Sequence, residues 1–331
     1  MVGRAAQVYE LEAALRILVR NATEEFGFVP RDVYQSITDL PDVRKQHVNA
    51  LAELDYSQLK NLIGLFVRHR KLDGLSHGVV AVYPVKPSRL TDDWEIDFKS
   101  IRIAMRVVES MRLKGGQDVQ DMYDGVRVIP ESSVLAGWIF KAVAHRAFSG
   151  GAMLQCTPMN SNEADPPTFS TFGAPFSLAF SGGRVVTRVD FSRGLSDVTL
   201  DSNRYYISTA TDNPLFDSFM INPASNSVVI HIFQITISAT RGGSAMGYFY
   251  ARQLKAHVRN LFMEAGKRRL PKIEAEYFLV CPDDKVERQW EMPAGWSETT
   301  RNHHRGHAFC IRGSVSKPHG TLHLFAPNIV T

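Results

Sequence analysis

Three segments late in the chain limit its fold more than any other feature. Val228–Ser238 reads Val-Val-Ile-His-Ile-Phe-Gln-Ile-Thr-Ile-Ser, an apolar β-branched run of strand length. Residues 246–265 carry Tyr248, Leu254, Val258 and Leu261 at helical spacing, and Glu276–Cys281 is again strand-like. Shorter strand candidates precede them at Met153–Cys156, Phe176–Phe180, Val185–Phe191, Tyr205–Ser208 and Ser218–Ile221. A helix over about 134–148, with Leu135, Ile139, Val143 and Phe148 on its apolar side, comes before those strands and ends at Gly150-Gly151. Helix, several strands, long helix, strand is the order of an α/β or α+β domain with a mixed sheet. Residues 160–175, rich in Asn, Pro, Ser and Thr, read as a loop, and 306–326 holds two short strand-like runs.

The first third has the helical period instead. Val8, Leu11, Leu15 and Leu18 predict a helix over 4–22, and two more follow at 42–54 and 56–71, the second capped at Asp55 or Ser57. Gly78–Val85 is a strand, and 98–113 returns to a helix. The polar stretch after Lys114, closing at Pro130, suits a connector. The expected organisation is a mainly helical region 1–113, a linker 114–130 and an α/β domain 131–331.

With 44% hydrophobic, 22% charged and 10% aromatic residues among 331, the chain can bury two cores and is not dominated by disorder. No run approaches the ~18 uncharged apolar residues of a membrane span. Cys156, Cys281 and Cys310 form neither a disulfide framework nor a Cys-x-x-Cys pair. The start lacks the apolar core of a signal peptide, and Val2 stands where myristoylation needs glycine. An intracellular location is the expectation. The net charge of +4 permits a nucleic-acid partner without arguing for one. Lys267, Arg268, Arg269 and Lys272 are the cluster best suited to phosphates.

Several chemical motifs are weak or absent. There is no Walker sequence or Gly-x-Ser-x-Gly elbow. Gly242–Gly247 lies between a strand and a helix but lacks the lysine of a phosphate-binding loop, and reads as a plain turn. His303, His304, His307, Cys310, His319 and His323 concentrate zinc-type ligands without a partner Cys-x-x-Cys. The strand alternation also accounts for His307 and His323.

Asp217 at the start of one strand, with Gln234 and Thr236 on the next, can present three polar side chains on one sheet face, because side chains alternate with period two. One reading is a solvated sheet face. The other is a cation site at a sheet edge, with a carboxylate and an amide oxygen as hard ligands for Mg²⁺.

Phe233–Ser238, the long helix after it and Tyr277–Asp284 together resemble the C-terminal region of the Crinkler and retrotransposon-hot-spot families of effector-like proteins. The segment Ala136–His145 is similar to the helix upstream of that region. Leu75–Pro84 with Phe98–Ala104 looks like the tail of the P-loop NTPase module that precedes it, here without its nucleotide motifs. The resemblance covers about 75–285. It implies a restriction-endonuclease-like domain of the PD-(D/E)xK type, Mg²⁺, a DNA or RNA partner and a nuclear location. It also implies roles by position: Asp217 as the strand aspartate, Gln234 at the (D/E) position, Thr236 at the lysine position and Lys141 where a first-helix glutamate is expected.

The pattern departs at three of those four positions. Lys141 or Lys255 could supply the missing lysine, or both are surface lysines. Two readings stay open. One is a nucleic-acid-binding protein cleaving phosphodiesters with Mg²⁺ held by Asp217 and Gln234. The other is a catalytically inactive fold serving as a DNA- or protein-interaction module.

Overall fold

A computed structural model describes residues 2–27, 29–67, 76–84, 94–114, 116–129, 133–162, 168–191, 195, 198–209, 213–223, 227–264, 272–283, 287–292, 307–315 and 322–323. The fold is α/β: a helical N-terminal part, then a sheet-rich part. Two compact units divide at Ala142/Val143. None of the described helices is long and apolar enough to cross a membrane.

The first unit begins with α1 (Val2–Phe26), α2 (Pro30–Thr38), α3 (Leu40–Glu53) and α4 (Tyr56–Val67). It continues through α5 (Ser76–Val79), β1 (Val80–Pro84), β2 (Trp94–Phe98), α6 (Ile101–Lys114) and α7 (Gly116–Arg127) into α8 (Ser133–Gly150). Gly27 ends α1 at φ 85°, where a Cβ would lie 1.9 Å from the Lys99 carbonyl oxygen, so only glycine fits. Pro30 opens α2 from the position that needs no N–H donor. Asp55 caps α4 reciprocally with Gln58: Gln58 N–H donates to Asp55 Oδ1 at 2.7 Å and Asp55 N–H to Gln58 Oε1 at 2.9 Å. Ala22, Phe26, Val33 and Val43 form a small core where α1, α2 and α3 meet.

Beside that core the unit buries charge. Lys99 Nζ donates to Asp32 Oδ2 at 2.5 Å, and His47 Nε2 lies 3.8 Å from the same oxygen. The His47 ring stacks on Phe26, and burial with the Lys99 charge pushes its pKa down. The Arg44 guanidinium donates two hydrogen bonds to Glu25, and Arg106 a third, holding that carboxyl below its ordinary range. Both shifts make the unit acid-labile. A depressed folded pKa gives stability that is full above the unfolded value and lost as pH falls through the folded one. Acidification should therefore lower the urea midpoint in two steps, from about pH 6.5 for His47 and from about pH 4.3 for Glu25. His47→Gln should flatten the upper step and Glu25→Gln the lower. A midpoint independent of pH over that range would refute the assignment.

The stretch expected as a linker is largely α7. Val119, Met122, Tyr123 and Val126 are all buried, and their i, i+3, i+4, i+7 spacing is an ordinary amphipathic stripe. The unit boundary accordingly falls inside α8, not at 114–130.

The second unit is built on one large mixed sheet. Its strands are β3 (Ala152–Ser161), β4 (Thr168–Thr171), β5 (Phe176–Phe180), β6 (Val185–Val189), β7 (Arg204–Ser208), β8 (Ser218–Pro223), β9 (Ser227–Ile235), β10 (Thr240–Arg241), β11 (Lys272–Pro282), β12 (Gln289–Glu291), β13 (His307–Val315) and β14 (Leu322–His323). The order is β10-β12-β4-β3-β13-β11-β9-β8-β7-β6, with β14 on β13 and β5 on β3. The central trio β13-β11-β9 is parallel, and β8 returns antiparallel on β9. The expected loop 160–175 contributes β4, which pairs with β3 and β12.

Between β9 and β11 runs α9 (Ala245–Glu264). Tyr248, Ala251, Leu254 and Val258 bury its inner face in one cluster with Phe219, Ile230, Ile232, Tyr277 and Leu279. The alternate residues of the same strands face the other way. There Phe148 of α8 packs 4.2 Å from the Phe233 ring, with Phe180 and Phe278 edging in. Burial on both faces is why Val228–Ile235 reads as a continuous apolar run.

Candidate functional site

The β8–β9 hairpin sets the site. Ser218 pairs with Phe233, and the Asp217 N–H donates to the Phe233 carbonyl at 2.8 Å. That register brings Asp217 beside Gln234. Gln234 Nε2 and the Ile235 N–H both donate to Asp217 Oδ2, each at 2.7 Å. Only the amine end of the amide can face the carboxylate, since the reverse would oppose two acceptors. Asp217 is 8% exposed, Gln234 1% and Thr236 6%, so the solvated-face reading of these three residues is overturned.

Thr236 lies one residue beyond β9. Its N–H donates to the Val280 carbonyl at 2.9 Å, and its hydroxyl accepts from the Ser238 N–H at 3.1 Å. It shapes the strand exit and carries no charge.

The lysine candidates are placed otherwise. Lys141 sits in the first unit, with Nζ 5.4 Å from the Trp138 ring centroid. Lys255 is half-buried on α9, where burial lowers its pKa and the Glu274 charge opposes that shift. Lys272 pairs with Glu274 at 2.5 Å, while Lys267, Arg268 and Arg269 lie outside the described residues.

A donor set for Mg²⁺ can be tested on this geometry. Mg²⁺ takes six oxygens in a near-ideal octahedron. Here the Asp217 oxygen facing Gln234 already receives two N–H groups, and Gln234 Oε1, buried without a hydrogen bond, is the amide atom turned from that carboxylate. The pair as arranged does not fit the ion, and holding it would require the amide to turn over. For zinc, the Cys310 sulfur touches Cys281 at 3.5 Å within the core. His303, His304 and His319 lie outside the described residues, as do the side chains of His307 and His323. Among the described residues no group of three or more His, Cys, Asp or Glu side chains is arranged to hold a metal.

The polar neighbourhood is wider than strand alternation reveals. Tyr205 is fully buried, its hydroxyl 2.8 Å from His145 Nδ1 and 2.6 Å from Ser218 Oγ. Burial drives the phenol pKa well up, and the Asp217 charge adds to this. Asn213 Nδ2 donates to Ser208 Oγ at 3.1 Å, and the Ser208 N–H to the Asp217 carbonyl at 2.9 Å. Arg288, buried, donates from Nη1 to the Ile237 carbonyl at 2.5 Å. The available signal for Ser208 and Ser218 was a small polar residue at the end of an apolar strand. Nothing in the spacing marks Tyr205 or Arg288.

Gly242–Gly247 is structural, as its sequence suggests. The Ser244 N–H donates to the Pro214 carbonyl at 2.8 Å. A Cβ on Gly247 would sit 2.1 Å from Leu215 Cβ. The turn clamps the 213–216 segment that delivers Asp217.

What the site offers chemically is a buried carboxylate satisfied by N–H donors, bordered by hydrogen-bonded hydroxyl and amide groups, with the Arg288 guanidinium at the strand exit. Such a site holds backbone in register. No protein-family model, curated protein or solved structure matches the chain.

Proposed function

We propose that this chain is a nucleic-acid-binding module on a nuclease-like fold that no longer cleaves phosphodiesters. The hydrogen bond from Gln234 Nε2 to Asp217 Oδ2 carries the reading. Two carboxylates at these positions would repel one another and call for a cation between them. A glutamine instead donates to the aspartate, and the carboxylate oxygen facing it is satisfied without metal. Thr236 supports the same conclusion, because a locally bonded hydroxyl cannot stabilise charge developing on a scissile phosphate. The resemblance to the Crinkler and retrotransposon-hot-spot C-terminal region supports the nucleic-acid partner, and so does the sequence cluster Lys267–Lys272.

The test uses the full chain with labelled single- and double-stranded DNA and RNA, in Mg²⁺ or Mn²⁺. The expected result is retardation on a gel without cutting, and no rise in melting temperature on adding Mg²⁺. Retardation should weaken steeply with salt, as contacts to phosphates require. Metal-dependent cutting that disappears in Asp217→Ala would instead establish a working nuclease. No retardation with any of the four substrates would remove the nucleic acid and leave a protein partner.

A further inference from the structure

The apolar stripe of α1 is covered at one end and bare at the other. Ala22 and Phe26 bury it against α2 and α3. One and two turns earlier the same stripe continues through Leu18, Leu15 and Leu11, which are 50%, 49% and 70% exposed. Residues 11–21 are exposed without exception, and none of the described residues covers them. Leu11, Leu15 and Leu18 follow the four-then-three spacing of a coiled-coil seam.

The charges beside the stripe indicate what covers it. At 100° per residue, Glu12 and Arg16 both lie on one flank of the seam, and the opposite flank carries Glu10, Ala14 and Asn21. In a parallel helix pair each flank meets its opposite, so Glu12 would face neutral residues and the like charge of Glu10. In an antiparallel pair each flank meets itself. Centred near Ala13, that arrangement sets Leu11 over Leu15 of a second copy and Glu12 beside its Arg16, twice by symmetry. Within one helix Glu12 and Arg16 already bond at 2.7 Å while remaining open to solvent, so each can bridge outward.

We propose that the bare stripe of α1 is a homodimer interface, pairing antiparallel with α1 of a second copy of this chain. Sedimentation equilibrium of the full chain tests it. The mass should rise with concentration toward twice that of the monomer. Leu15→Glu should keep it monomeric, with an unchanged circular dichroism spectrum showing the chain still folded.

Glu12→Arg and Arg16→Glu should each weaken self-association by about tenfold or more, equivalent to ~1.4 kcal/mol. Mixing these two variants tests the direction of pairing. Each still opposes like charges within its own helix, yet an antiparallel mixed dimer regains both pairs between helices. The mixture should therefore associate more tightly than either variant alone. Three results would overturn the proposal: a monomer at about 100 µM, a dimer indifferent to Leu15→Glu, or a mixture no tighter than its components.

Discussion

Lys99→Met should destabilise the first unit by ~3–5 kcal/mol, the range for breaking a buried ion pair by removing one partner. The ammonium is 2% exposed and Asp32 is 9% exposed at the side chain, so water cannot replace the lost partner. Arg31 approaches Asp32 only at 3.4 Å and from a largely exposed position. Burial and the Lys99 charge hold the His47 pKa down, and this ring is the group best placed to respond. With the Lys99 charge gone and Asp32 uncompensated, its pKa should rise, which nuclear magnetic resonance titration would read directly. Replacing both residues, as Lys99→Met with Asp32→Leu, should recover most of the loss, since a buried pair exchanged for apolar groups is often neutral. Urea titration of the single and double variants decides the matter. A single variant within ~0.5 kcal/mol of the parent would mean that the pair is not closed to solvent.

The second large effect belongs to Asp217. Asp217→Ala strands the Ile235 N–H and the Gln234 amide, two buried donors that share one carboxylate oxygen. Each orphaned donor costs about 1–3 kcal/mol, so the variant should lose ~2–6 kcal/mol. Asp217→Asn keeps an oxygen with two lone pairs in the same place and should lose only ~1 kcal/mol, the difference between a charged and a neutral acceptor. This contrast separates two roles. A structural carboxylate tolerates asparagine and fails with alanine, as judged by melting. A metal ligand loses its function with either.

Much of the sheet could be read from residue order. The short apolar stretch Ser218–Ile221 and the largely apolar run from Val228 located β8 and β9, and with them the pair Asp217 and Gln234. What they do to each other could not be read, because it depends on which end of an amide faces a strand neighbour. The Lys99–Asp32 pair joins residues 67 positions apart and leaves no spacing to detect. Other omissions had visible signals. Val119, Met122, Tyr123 and Val126 spell out α7, although the polar stretch after Lys114 and Pro130 have the composition of a connector. Trp94-Glu95-Ile96-Asp97-Phe98 alternates as a half-buried strand should, and it is β2. Lys141 belongs to the first unit, where its ammonium lies over the Trp138 ring, a contact that its position on a helix does not reveal.

The place of β13 bears on how the molecule is made. Residues 307–315 are inserted between β3 and β11, whose own sequences are finished long before. A chain that ends before His307 would leave two strand edges without this partner, those of β3 and β11. Open edges of this kind recruit other strands readily. Synthesis from N- to C-terminus makes the last central strand the one that seals the sheet. A truncated chain released before residue 307 is the form expected to aggregate most readily.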